Sequence, residues 1–201
     1  MLSNKYSFLI LLILLLTVFI SCKKEVEPPP HKLFEDQRMV LKTAGEVLNQ
    51  KVSFSNSGYF DSDTLKSIAA GVEFNEKKQT GVQFYLINWV EDSFVKTYST
   101  AILEGSFSKC TVDKIKFAAF KNELIYFNSE DYFMGTAGGE VFAYIIDLKD
   151  KKTYSAHLTV ASKGLVILEL SENIQNKMMK NFFVGYFKRD YPNLNIMQAE
   201  K

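Results

Sequence analysis

Hydrophobic positions along the chain change their period twice. Leu33, Phe34, Val40, Leu41, Ala44, Val47 and Leu48 recur near a 3.6-residue spacing, with Glu35, Lys42, Glu46 and Asn49 opposite, and this predicts an amphipathic helix over residues 33–49. From there to about residue 170 the chain breaks into short aromatic and β-branched runs separated by turn residues. These predict strands at 51–55, 68–75, 81–90, 95–103, 115–120, 123–128, 140–148, 153–161 and 164–170. A helical period then returns: Ile174, Met178, Met179, Phe182, Phe183, Tyr186 and Phe187 form a wide apolar arc, with Ser171 placed to cap its start and Pro192 to end it.

The strands are of two kinds. In the segment 154–160, Tyr154, Ala156, Leu158 and Val160 alternate with Ser155, His157 and Thr159, as expected of a strand with one buried face. Val82 to Val90 and Val141 to Leu148 are apolar at nearly every position, which predicts central strands covered on both sides. The charged stretch Asp147 to Thr153 reads as a hairpin loop, and connections this short favour antiparallel pairing over repeated βαβ units. The expected fold is α+β: a sheet-dominated antiparallel domain of about eight or nine strands, sandwich- or barrel-like, with an amphipathic helix at each end.

Upstream of this domain, Ser7 to Ile20 is an uncharged, mostly apolar run of 14 residues behind Lys5, ending at small residues. It is shorter than the roughly 20 apolar residues a membrane span requires, and fits the core of a cleaved export signal. Phe19-Ile20-Ser21-Cys22 closes the run. This junction resembles the lipobox of bacterial lipoproteins, although Phe19 stands where that family usually has leucine. The resemblance covers residues 1–25 and implies cleavage after Ser21, acylation of Cys22, and attachment to a membrane through that lipid. Several acyl chains hold a protein stably where one holds it marginally. Lys23 in place of aspartate implies the outer membrane. Lys23-Lys24-Glu25 is also similar to a surface-export signal, so the periplasmic face and the cell surface both stay open.

The chain therefore divides into a signal peptide (1–21), a charged and proline-rich tether (22–32) containing Pro28-Pro29-Pro30, and one globular domain (33–201). About 170 residues suffice to bury a core without disulfides. With Cys22 acylated, Cys110 is left as a lone thiol best placed as a small core residue. A formal net charge of +1 gives no basic face for nucleic acid.

Site chemistry is thin in the sequence, and no cofactor or metal motif is present. The two histidines, His31 and His157, are too few for a multi-histidine metal site, and His157 lies on the polar side of its strand. Gly135-Thr-Ala-Gly-Gly-Glu140 lacks the Gly-Lys-Ser/Thr ending of a phosphate loop and leads into a strand, so it reads as a turn. Asp61-Ser62-Asp63 and Glu130-Asp131 lack the further ligands of a calcium loop and read as solvated turns. No motif selects catalytic residues. The candidate ligand or partner surface is aromatic: Trp89 with Tyr85 on a strand, and Phe183 with Tyr186 on the last helix. The expected role is a non-catalytic envelope module that binds a protein or glycan. A lipocalin-like carrier of an apolar molecule or lipid is the alternative, and an envelope hydrolase fits less well.

Overall fold

The computed structural model describes residues 31–76, 79–132, 138–160, 166–192 and 196–198. The expected signal peptide, Ser21, Cys22 and the expected tether as far as Pro30 lie outside them. Two sheets stack face to face with a helical layer on each outer side, giving four layers in the order helix, sheet, sheet, helix. The first sheet runs β1 (Phe54–Gly58), β2 (Ser67–Glu76), β3 (Gln79–Val90) and β4 (Ser93–Ser99) in sequence order, all antiparallel. The second contains β5 (Cys110–Ile115), β6 (Leu124–Tyr132), β7 (Gly139–Asp147), β8 (Lys152–Val160) and β9 (Val166–Leu170), again antiparallel. A short strand, β10 (Ile196–Gln198), joins β9 in parallel. The sheets remain separate and do not close into a barrel.

Strand alternation explains the layering. On β2 and β3, Ile68, Ala70 and Ile87 turn outward, while Ala69, Val82, Phe84 and Leu86 turn inward against Ile125, Phe127, Tyr144 and Ile146 of the second sheet. Phe84 and Phe127 meet at 5.3 Å between ring centroids, and Phe107 bridges Phe54 and Phe127. Aromatic rings thus fill the space between the sheets. The expected central strands, β3 and β7, are indeed covered on both faces.

The first helix differs from the expectation in one respect: Asp36 splits it into α1 (His31–Glu35) and α2 (Gln37–Leu48). Asp36 is extended (φ −107°, ψ 106°), and its carboxylate accepts from the N–H groups of Arg38 and Met39, so it starts a new helix in place of continuing the old one. Val40 and Ala44 lead the buried stripe, and Asn49 ends α2 in the left-handed conformation. No described helix is long and apolar enough to cross a membrane.

The last helix, α3 (Lys177–Asp190), begins six residues later than Ser171. Ser171 instead closes the β8–β9 ladder, exchanging hydrogen bonds with the Ser155 backbone, and Asn176 caps the helix through Met178 N–H. Met179, Phe183, Tyr186 and Phe187 then cover the outer face of the second sheet. A parallel pair needs a crossover, and α3 supplies it between β9 and β10. The strand expected at 115–120 lies earlier, at 110–115. Phe117 and Phe120 form a turn closed by Phe120 N–H to Phe117 O and pack beneath α3.

Candidate functional site

The sequence-expected surface aromatics sit on opposite sides of the molecule. Trp89 stands at the end of β3 on the outer side of the first sheet, edge-to-face with Phe94 at 4.9 Å. Tyr85 shares that side. It is buried, its hydroxyl donates to Gln83 Oε1, and Lys96 lies over its ring at 5.7 Å. Phe183 and Tyr186 belong to the core beneath α3, where Tyr186 packs on Tyr126 at 4.6 Å. Burial pushes the Tyr186 phenol up, the nearby Thr111 and Tyr126 hydroxyls partly offset it, and Asp190 adds to the rise. Cys110 is half-buried with its thiol toward Phe107 O.

A different group of residues forms a concave site. Thr80, Gly105, Ser106, Ser108, Lys109, Ser129, Glu130 and Phe142 line a cavity of about 320 Å³ at the end of the sandwich where β3 and β7 begin. Its shape depends on close backbone approach. Gly105 has φ of 123°, and a Cβ there would fall 2.6 Å from Ser129 Cβ. Ser129, nearly fully buried, ties the 106 segment to β6: its hydroxyl accepts from Ser106 N–H and donates to Ser106 O. Ser106 and Ser108 share a hydrogen bond of 2.6 Å at the rim.

Glu130 is held from the opposite side of its sheet position by the Tyr191 hydroxyl, which donates to its Oε1. Tyr191 caps the C-terminus of α3, so the helix end is coupled to the cavity wall. Phe142 forms the apolar part of the lining, and the His157 ring lies against it. His157 Nε2 is buried at the atom level and faces Glu140 Oε2 at 3.5 Å. On the other flank of β8, Glu169 of β9 is the direct cross-strand partner of His157.

The serine and threonine hydroxyls, the Lys109 ammonium and one ring face suit a small polar, hydroxylated group, while the Glu130 carboxylate is turned to Tyr191. Among the described residues no three His, Cys, Asp or Glu side chains converge as a metal site. The Asp61-Ser62-Asp63 segment is used locally: Ser62 Oγ caps Thr64 and Leu65 N–H, and Asp61 accepts from Asn88. Of the glycine-rich stretch, residues 135–137 lie outside the described residues, and Gly138 has the positive φ expected of a turn. Asp131 is likewise placed only by its backbone register opposite Glu140.

Sequence reading missed this cavity because its lining comes from four separate segments. Only Glu130 stood out beforehand, as part of an acidic pair. No protein-family model matches the chain, and neither a curated protein nor a solved structure does.

Proposed function

We propose that the protein is a lipid-anchored lipoprotein of the bacterial cell envelope whose domain is a non-catalytic binding module for a protein or glycan. The observation that carries this reading is the Phe19-Ile20-Ser21-Cys22 junction placed directly after the apolar run and eight residues ahead of the first helix. Acyl chains on Cys22 would hold the domain at the outer membrane, on its periplasmic face or at the cell surface. The cavity beside Phe142 and Lys109 offers a polar binding site of the right character for a hydroxylated ligand such as a glycan. Rings packed between the sheets serve cohesion of the core, which favours binding at the surface over enclosure of an apolar cargo.

Mass spectrometry of the protein from its native host tests the anchor. The expected product starts at acylated Cys22, and Cys22→Ala releases the protein from the membrane fraction. Retention of Met1 with no acyl mass would overturn the reading. Titration of the mature chain with envelope glycans, with Gly105→Ala as the cavity-closing control, tests the binding role. Equal binding by both chains would move the site elsewhere.

A further inference from the structure

Eight residues, Lys23 to Pro30, separate Cys22 from His31, where α1 begins. Nine Cα steps reach at most about 32 Å even when fully extended. The domain is four layers thick, or roughly 40 Å at about 10 Å per layer. Its N-terminal helices occupy one outer layer, against Ile68, Ala70, Ile87 and Phe94, and α3 occupies the other. With Cys22 fixed in a bilayer, an inverted domain would need its tether to pass the α3 layer and both sheets, roughly 30 Å, and also to run around their edge before reaching His31, a path longer than the chain available.

We infer that the α1–α2 layer faces the bilayer and the α3 layer faces away from it. This rests on the proposed acylation of Cys22. The surface chemistry agrees with a lipid headgroup layer as the partner. By helical period, the outward side of α2 presents Arg38, whose long side chain suits a phosphate headgroup, and Lys42, which pairs with Glu46 at 3.7 Å, flanked by the exposed Met39 and Leu41. On α3 only Met178 is exposed among the large hydrophobic side chains. Glu35, Asp36 and Glu46 balance the cations in this layer, so apolar contact and tether length, not net charge, set the orientation.

The test uses the full chain, expressed in a host that acylates lipoproteins and reconstituted into vesicles of phosphatidylethanolamine and phosphatidylglycerol. In a Cys110→Ala background a fluorophore is attached at Met39→Cys, at Leu41→Cys, or at Lys180→Cys on α3, and energy transfer to a headgroup-labelled lipid is measured. Severalfold greater transfer from positions 39 and 41 than from 180 is expected, and that order should persist when Arg38→Glu and Lys42→Glu are introduced, because tether length and apolar contact set it. Equal transfer from all three sites, with the protein still floating with the vesicles, would overturn the orientation and leave the anchor intact. Failure to float would overturn the anchor and the orientation with it. Transfer that depends on protein density, together with crosslinks between positions 39 of two chains, would show the layer covered by a second copy and would also overturn the inference.

Discussion

Phe142 on β7 and His157 on β8 lie face to face, their ring centroids 4.6 Å apart and their planes 8° from parallel. They are cross-strand partners on the inner side of the second sheet, and the Phe142 ring also lines the cavity. The stack therefore joins a titratable strand residue, with carboxylates on both neighbouring strands, to the wall of the candidate site.

Replacing Phe142 by alanine removes both roles. The residue is half-buried, so the expected loss is about 2 kcal/mol, below the range for a fully enclosed phenylalanine. Urea unfolding of Phe142→Ala checks the magnitude. His157→Phe, which keeps a ring against Phe142, should stay within about 1 kcal/mol of the parent.

Gly105→Ala is expected to cost about 2 kcal/mol or more, since its φ of 123° disfavours a side chain and the new Cβ would press on Ser129. The same change narrows the cavity. Thermal denaturation reads the first effect and ligand titration the second.

At high pH the buried phenols should destabilise the fold. Burial, then the nearby Tyr186 and Asp190, pushes Tyr126 far up, and burial with the Glu104 carboxylate close by pushes Tyr144 up to about 12. A raised phenol keeps its proton in the folded chain while the unfolded chain loses it near pH 10. Stability is thus complete below about pH 10 and falls as pH rises through it. Tyr126→Phe should flatten that fall. Near neutral pH it should change stability by less than about 1 kcal/mol, because the buried hydroxyl lacks a well-formed hydrogen bond. Urea midpoints at neutral pH and at about pH 11 make the comparison.

Asp36→Ala removes the carboxylate that accepts from two backbone N–H groups at the start of α2. About 1 kcal/mol of stability should be lost, and Asp36→Asn or Asp36→Ser should recover most of it. Chemical denaturation monitored by circular dichroism decides this.

Much of this architecture was legible from periodicity. The alternation in Tyr154 to Val160 placed Tyr154, Ala156 and Leu158 in the core, and the continuous apolar runs located β3 and β7 as interior strands. What escaped followed from competition for polar side chains. Asp36 falls inside the single helix expected over residues 33–49, yet it caps a second; Ser171 has the residue type of a helix cap, yet it finishes a strand ladder. The apolar residues Phe117 and Phe120 look like strand residues by type, but a turn brings them together under α3. Aromatic residue type alone also failed to separate Phe183, wholly interior, from Phe142, which borders open space.

Neighbouring strands in the two sheets are mostly neighbours in the chain, β1 to β4 in one and β5 to β9 in the other. Each sheet is a meander that local hairpins can zip up without distant loop closure. Neither half keeps its inner surface dry by itself, however, because Phe84 and Phe107, with Phe54 packed on both, rest on Phe127 from the later half. The two meanders should accordingly melt together, as one cooperative unit whose last step of assembly is the docking of its two ring-studded faces.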